Sequence, residues 1–146
     1  MENGTEFYTM KGYLLQGRNS LSSAMEDYLE MITRLARNGV NIRVSELAKK
    51  LHVKASSVTK MVQHLTQEGY LRAEKYGVIY LTEKGISAGD YLLYRHDVLQ
   101  KFLCFVNSTN SELEQVEKIE HFFDERTIKN LELLTKQLQT DIIQMD

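Results

Sequence analysis

The sequence predicts a mainly α-helical protein of the α+β class, with an N-terminal winged helix-turn-helix followed by an all-helical region. Three observations predict this. Apolar residues recur at helical spacing along most of the chain, proline is absent, and one short stretch has two strand-like runs around a glycine turn. We divide the 146 residues into an N-terminal extension (1–20), a winged helix-turn-helix (21–82) and a helical region (83–146).

The first helix is predicted from a capping-box spacing at residues 23–26 to the Asn-Gly pair at 38–39. Its apolar positions fall on one face and should form part of the core. These positions are Tyr28, Leu29, Ile32 and Leu35.

The helix-turn-helix itself occupies residues 43–68. A short helix with an apolar stripe is followed by three residues, 52–54, which are too few for anything but a turn. The second helix runs from about Ala55 to Glu68 and should end at Gly69, which adopts a left-handed cap at little cost. Strands at 70–75 and 78–81, joined at Tyr76-Gly77, form the predicted wing.

The outer face of the second helix carries hydroxyls, an amide and a lysine, and no carboxylate. Such groups can reach base edges and phosphates in a DNA major groove. Residues 43–82 hold seven Lys and Arg against three Asp and Glu, although the whole chain has a net charge of −2. We therefore predict binding of double-stranded DNA, with a solvated face or a protein-binding winged helix as alternatives. The predicted contact residues are Lys54, Ser56, Ser57, Thr59, Lys60, Gln63, Lys75 and Tyr76.

Three further helices are predicted after the wing. Thr82 should cap a long helix from Glu83 to about Val106, and a short helix should begin near residue 111. The last helix should extend from about Glu125 to Gln139. Its apolar residues fit a helix–helix seam within the chain or between two chains, namely Ile128, Leu131, Leu134 and Leu138.

The short helix carries Glu117, Glu120 and His121 at positions i, i+3 and i+4. Two carboxylates and an imidazole therefore project from one helix face and could bind a metal. The same spacing also occurs on solvated helix faces. Asp27 and Glu30 on the first helix, taken alone, would be ordinary helix-terminal carboxylates.

Composition places few other limits on the function. The single cysteine, Cys104, cannot form an intramolecular disulfide, and no run of eighteen apolar residues predicts a membrane span. No signal-peptide pattern begins the chain. We expect a cytoplasmic protein without a membrane partner.

Four stretches resemble the diphtheria toxin repressor family in order and approximate spacing, especially its manganese transport regulators. They are Met25-Glu26-Asp27-Tyr28-Leu29-Glu30, residues 56–62 (SSVTKMV), Tyr94-Arg95-His96, and Glu117-x-x-Glu120-His121. The resemblance covers residues 21 to about 135. One departure is Ala55, which stands where family members often have proline.

The resemblance implies a metal-responsive repressor of metal-uptake genes, with no enzymatic activity. It implies a dimerising and metal-binding role for residues 83–146 and binding of a pair of Mn(II) ions per subunit. The residues that match the family's ligands are Asp27, Glu30, His96, Glu117, Glu120 and His121. The iron-responsive branch places sulfur ligands at two of these positions, those of Asp27 and Glu117, so manganese is favoured and Fe(II) is the alternative.

The ligand chemistry supports the same choice, because four carboxylates and two imidazoles suit Mn(II) or Fe(II) better than copper(I) or structural zinc. A homodimer should bind an inverted-repeat operator, since two-fold symmetry presents two recognition helices. A carboxylate-bridged metalloenzyme could use the same ligands, but it would leave the basic wing segment unexplained.

Overall fold

The computed structural model describes residues 9–10, 21–74 and 77–145. The predicted extension (residues 1–20) therefore lies almost wholly outside the described residues, as do Lys75 and Tyr76. The elements in chain order are α1 (Ser23–Arg37), α2 (Val44–Leu51), α3 (Ala55–Gln67), β1 (Leu71–Ala73), β2 (Ile79–Leu81), α4 (Glu83–Asn107), α5 (Leu113–Ile119), a 3-10 turn (Glu120–Phe122) and α6 (Glu125–Met145). The predicted fold class is confirmed.

The turn between α2 and α3 is tight because His52 adopts a left-handed conformation, with φ of 55°. The backbone N–H of Val53 then donates to the carbonyl of Ala48, which closes the end of α2. Leu47 from α2 and Val58 from α3 are fully buried against each other's helix and α1. This packing leaves the opposite face of α3 in solvent.

The wing is a two-stranded antiparallel sheet in which Leu71 pairs with Leu81 and Ala73 with Ile79. Both strands are shorter than the predicted runs. Ile79 also donates its N–H to the carbonyl of Ile42 at 2.9 Å, so the segment after α1 is attached to the wing. Gly77 has a φ of +78°, a conformation that glycine adopts without strain.

The beginnings of two helices show how local caps work. Thr82 accepts a hydrogen bond from the Gly85 N–H at 3.0 Å and begins α4 as predicted. The predicted cap of α1 was wrong by one residue. Ser22, and not Ser23, accepts from the Met25 N–H at 3.2 Å. Two adjacent serines have the same side chain, and the three-residue spacing from Ser23 to Glu26 led to the wrong prediction.

Helix α4 connects two groups of buried apolar residues. Its Leu92 belongs to the core that α1, α2, α3 and the wing share. Val98 and Leu99, two turns further on, pack with Val116 of α5 and Ile128 of α6. Helix α4 therefore packs against both the winged segment and the C-terminal helices, while the division at residue 82 stays a prediction.

The contact between α1 and α4 is close because Gly89 of α4 faces Thr33 of α1. Thr33 is 2% exposed, and its hydroxyl donates to the Leu29 carbonyl at 2.7 Å. A Cβ on residue 89 would lie 1.9 Å from Thr33 Oγ1. The two helix backbones can approach this far only with glycine at that position.

Helix α6 extends six residues beyond the predicted end. Ile128 is fully buried as expected, whereas Leu134 is 47% exposed, so of the two alternatives for the leucine seam, packing within the chain does not cover this residue. The exposed apolar residues on and near this helix include Phe122, Leu133, Leu134, Ile142, Ile143 and Met145. Within one chain, the predicted leucine seam is thus only partly covered. Among the described residues, no helix has the length and hydropathy that a membrane span requires.

We predict that Gly89→Ala destabilises the protein by about 1–3 kcal/mol, because the added methyl group forces α1 and α4 apart. Urea unfolding of the metal-free protein measures this change. Ser87→Ala, on an exposed turn of the same helix, should change stability by less than about 0.5 kcal/mol. Adding Thr33→Ala to Gly89→Ala should recover part of the loss, since it removes the clashing atoms. If Gly89→Ala and Ser87→Ala were equally stable, the interpretation that α1 and α4 are in close contact at Gly89 would be contradicted.

Candidate metal centre and DNA-binding surface

All six predicted metal ligands lie together at the junction of α1, α4, α5 and the 3-10 turn. Helix α1 supplies Asp27 and Glu30, and α4 supplies His96. The other three lie at the end of α5 and in the turn that follows it, namely Glu117, Glu120 and His121. Their donor atoms form two groups, each with all atoms within 4.8 Å, and Glu120 belongs to both groups.

The first group surrounds His96, which is 9% exposed. Its Nδ1 lies 2.9 Å from Glu120 Oε2, 3.4 Å from Glu30 Oε1 and 3.6 Å from Glu117 Oε1. Glu30 also accepts a hydrogen bond of 2.7 Å from Arg34, one turn further along α1. Three carboxylates thus converge on one imidazole from three different elements.

The second group contains Asp27, Glu120 and His121. His121 Nε2 lies 3.0 Å from Asp27 Oδ1. Its other ring nitrogen, Nδ1, lies 2.8 Å from Glu26 Oε1. The imidazole is therefore held between two neighbouring carboxylates of α1.

Burial and like charges control the protonation of these groups. Burial raises the pKa of Glu30 to about 7, against the opposing hydrogen bond from Arg34. Burial also raises the pKa of Glu117, and the hydrogen bond to Glu120 raises that of His96. Hydrogen bonds to Asp27 and Glu26 raise the pKa of His121 to about 10. In the absence of a metal, protons thus reduce the repulsion within the cluster.

Glu120 is the most enclosed member of the cluster, with 0% of its surface exposed. Burial is the largest single influence and opposes its ionisation, but the hydrogen bonds with His96 and Glu30 and the charges of His96 and Arg95 together leave the Glu120 pKa below its ordinary value. Its Oε1 is buried without a hydrogen-bond partner among the described residues. An unpartnered carboxylate oxygen in a buried site has strong unused capacity to accept a cation.

The cluster reaches solvent through a cleft of about 190 Å³ lined by Asp27, Glu30, Met31, Arg34, Leu51 and Glu117. Asp27 and Glu117 are half exposed at its rim. The cleft therefore gives solvent access to the outer carboxylates of the cluster, those of Asp27, Glu30 and Glu117.

The predicted DNA-contact residues lie on the free side of α3 and the turn before it. Those within the described residues are all exposed, namely Lys54, Ser56, Ser57, Thr59, Lys60 and Gln63. The Thr59 hydroxyl donates to the Ala55 carbonyl within its own helix at 3.1 Å. Lys75 and Tyr76 lie outside the described residues, so their predicted contacts stay predictions.

Residues 20–79 match the family model of the iron dependent repressor N-terminal DNA binding domain. This stretch is a repressor-type DNA-binding domain. It includes α1, the helix-turn-helix and most of the wing. The predicted relation to the diphtheria toxin repressor family is confirmed by this match together with the similar solved structures.

Three solved structures illustrate the similarity. The manganese regulator SloR is 26% identical, with a TM-score of 0.69, and the match covers 77% of this chain and 53% of SloR. The metal-dependent transcriptional regulator MtsR is also 26% identical, with a TM-score of 0.70 and the same coverages. ScaR with bound Zn²⁺ is 28% identical, with a TM-score of 0.65 and again 77% and 53% covered. The chain spans about half the length of these relatives.

Two residues at the centre of this repressor-type fold were missed by sequence reasoning. Glu26, which is partly buried, and Arg95, which is buried, form an ion pair with oxygen–nitrogen distances of 3.2 and 3.3 Å. Both lie inside stretches that carried the family resemblance and both are direct neighbours of predicted ligands, Asp27 and His96. Only the packing of α1 against α4 brings them together.

The raised pKa of Glu30 predicts how the stability of the metal-free protein depends on pH. Its folded pKa of about 7 exceeds the ordinary glutamate pKa of 4.5, so the folded state holds this proton more tightly. The corresponding stabilisation is complete below about pH 4.5 and is lost as the pH rises through about 7. Glu30→Gln should therefore lose less stability than wild type between about pH 5 and pH 8, by on the order of 1–3 kcal/mol.

Urea unfolding in the presence of a chelator at both pH values measures this difference. Glu114→Gln provides the control, because that carboxylate is exposed on α5 and its ion-pair partner among the described residues is Lys118, at 2.8 Å. It should follow the wild-type pH dependence. If Glu30→Gln also followed it, burial would not raise the Glu30 pKa.

Proposed function

We propose that this protein is a Mn(II)-activated transcriptional repressor that binds an inverted-repeat operator as a homodimer and controls metal-uptake genes. One observation carries the proposal. Six oxygen and nitrogen donors from α1, α4, α5 and the 3-10 turn converge around Glu120, and α1 belongs to the core of the DNA-binding domain. Residues 83–146 would bind metal and dimerise, while residues 21–82 would bind DNA.

The residues present fit a divalent cation. Four carboxylates and two imidazoles form an oxygen-rich donor set without thiolate, which suits Mn(II). Glu120 is shared by both groups and keeps one buried oxygen without a partner. We propose that Glu30, His96, Glu117 and Glu120 hold one ion, and Asp27, Glu120 and His121 a second. Cations would supply the positive charge that offsets repulsion among these carboxylates.

The ligands explain how metal could control DNA binding. Leu29 and Ile32 of α1 pack in the same core as Val58 of α3. Fixing Asp27 and Glu30 relative to His96 and Glu120 therefore also fixes the orientation of α3 relative to α4. In a homodimer, this would set the relative positions of two recognition helices, which must match two half-sites of the operator.

Dimerisation is supported by the apolar surface that the chain leaves exposed on α6. Leu133, Leu134, Ile142 and Ile143 are all about half exposed or more. Apolar patches of this kind are unusual on monomers and typical of association surfaces. A second chain that packs on α6 would complete the predicted leucine seam.

Fe(II) is the second candidate effector, because the matching domain family is described as iron dependent. Mn(II) and Fe(II) are close in the affinity series for divalent metals. The choice of Mn(II) depends on the carboxylates of Asp27 and Glu117, which are hard donors, and on the similarity to SloR, which is described as a manganese regulator.

We predict that Mn(II) increases the affinity of the protein for its operator at least tenfold. The operator is first isolated from random duplexes by selection in the presence of metal, and affinity is then measured by fluorescence anisotropy with Mn(II), anaerobic Fe(II) or chelator. Glu120→Gln should lose the metal response, because it removes the shared carboxylate. Asp97→Asn should keep it, since that carboxylate is exposed and its ion-pair partner within residues 21–74 and 77–145 is Lys101. Metal-independent binding by wild type would reject the proposal, and a larger response to Fe(II) would favour the second candidate.

We predict that two residues on the outer face of α3 act differently. Gln63→Ala should weaken operator binding by about 1–3 kcal/mol and binding to random DNA much less, if Gln63 contacts a base edge. Lys60→Ala should weaken both and reduce the salt dependence by about one ion, if Lys60 contacts phosphate. Lys118→Ala removes the same charge from an exposed site on α5 and should change neither. Negligible effects of both α3 substitutions would show that another surface contacts DNA.

A further inference from the structure

Glu26 of α1 forms an ion pair with the buried Arg95 of α4. Arg95 is only 2% exposed. Its Nη1 lies 3.2 Å from Glu26 Oε2 and its Nη2 lies 3.3 Å from Glu26 Oε1, so both carboxylate oxygens contact the guanidinium. The Arg95 guanidinium also lies 6.0 Å from the centre of the Tyr91 ring. A charge buried this deeply needs its partner to be well ordered.

The same carboxylate contacts His121 from the side opposite the cluster. Glu26 Oε1 lies 2.8 Å from His121 Nδ1, whereas His121 Nε2 lies 3.0 Å from Asp27. The two ring nitrogens therefore face different carboxylates. Only one of these carboxylates, that of Asp27, belongs to a group whose donor atoms lie close enough to share an ion.

Glu26 is thus placed to orient a ligand without being one. Arg95 occupies both Glu26 oxygens and balances their charge, which keeps this carboxylate from competing with Asp27 for a cation. A carboxylate that accepts the N–H of one imidazole nitrogen fixes the ring orientation and leaves the other nitrogen to donate its lone pair. Such partners are necessary because an imidazole with two equivalent neighbours has no defined ligand atom.

We propose that Glu26, held by Arg95, is the positioning residue for His121: it accepts the Nδ1 proton and directs Nε2 towards the site shared with Asp27 and Glu120. This inference rests on the proposed metal function of that site. It also gives the ion pair a role beyond helix packing. Glu26, which connects α1 to α4, determines which nitrogen of His121 in the 3-10 turn faces the metal site.

The experiment compares three variants of the full chain. Glu26→Ala removes the acceptor, whereas Glu26→Gln keeps its shape and one oxygen acceptor but loses the charge. Asp90→Asn is the matched control, because it breaks an ion pair between α1 and α4 that lies outside the cluster, an exposed contact of 2.7 Å between Arg37 and Asp90. Mn(II) affinity is measured by electron paramagnetic resonance titration, and folding by urea unfolding with chelator.

We expect Mn(II) affinity to fall about 10–100-fold in Glu26→Ala and less in Glu26→Gln, which is the usual range for partners of a metal-bound histidine. Asp90→Asn should bind Mn(II) as wild type does. If the alanine variant does not fold, the glutamine variant provides the test. A lower unfolding midpoint with unchanged Mn(II) affinity would show a purely structural role and overturn the inference.

The second measurement reports the ring directly. With Zn(II) as a diamagnetic probe, ¹⁵N spectra of wild type should show His121 protonated at Nδ1 and metal-bound at Nε2. Glu26→Ala should lose the protected Nδ1–H signal, or show both nitrogens sharing the metal, while Asp90→Asn keeps the wild-type spectrum. The wild-type spectrum in Glu26→Ala would overturn the inference but leave the metal site intact. Failure of wild type to bind either metal would instead overturn the proposed metal site, and the inference with it.

Discussion

The packing of α1 against α4 is the contact on which the rest of the structure depends. Gly89 allows the two backbones to approach until Thr33 fills the space between them, and the Arg95–Glu26 ion pair connects them directly beside the cluster. Because α1 belongs to the DNA-binding domain and α4 extends to the C-terminal helices, this contact sets the distance between Glu30 and His96. A small change there would alter both the ligand geometry and the orientation of α3.

Electrostatics works against this packing when no cation is present. The cluster places carboxylates of α1, α5 and the 3-10 turn around His96, and the raised pKa values of Glu30 and His121 show that protonation relieves part of the repulsion. Protons are a weak substitute, because each satisfies one lone pair and is lost as the pH rises. Glu120 Oε1 is the oxygen that still lacks a hydrogen-bond partner among the described residues when the cluster holds protons and no cation. The folded positions of these carboxylates therefore make the cluster sensitive to cations.

Much of the fold could be predicted from sequence because its elements are defined locally. The apolar stripe of α1, the Thr82 cap and the left-handed Gly69 each depend on residues within one or two turns, and the structure has all three. The misplaced cap at Ser23 arose where two adjacent serines were equally suitable. The buried role expected for Leu134 could not be decided locally, since burial there depends on what covers α6. Hydrophobic periodicity also could not predict that the six predicted ligands come together, and only the family resemblance suggested it.

The different roles of Glu26 and Asp27 show why sequence alone cannot separate a ligand from its supporting residue. The two carboxylates are identical in chemistry apart from one methylene, and adjacent positions on a helix point about 100° apart. Either could have been the ligand. The choice is made by Arg95, 69 residues away in the chain, which pairs with Glu26 and leaves Asp27 facing the cluster. His121 then contacts both, one with each ring nitrogen. In the proposed site, a single arginine on α4 therefore determines which carboxylate of α1 remains available to a metal.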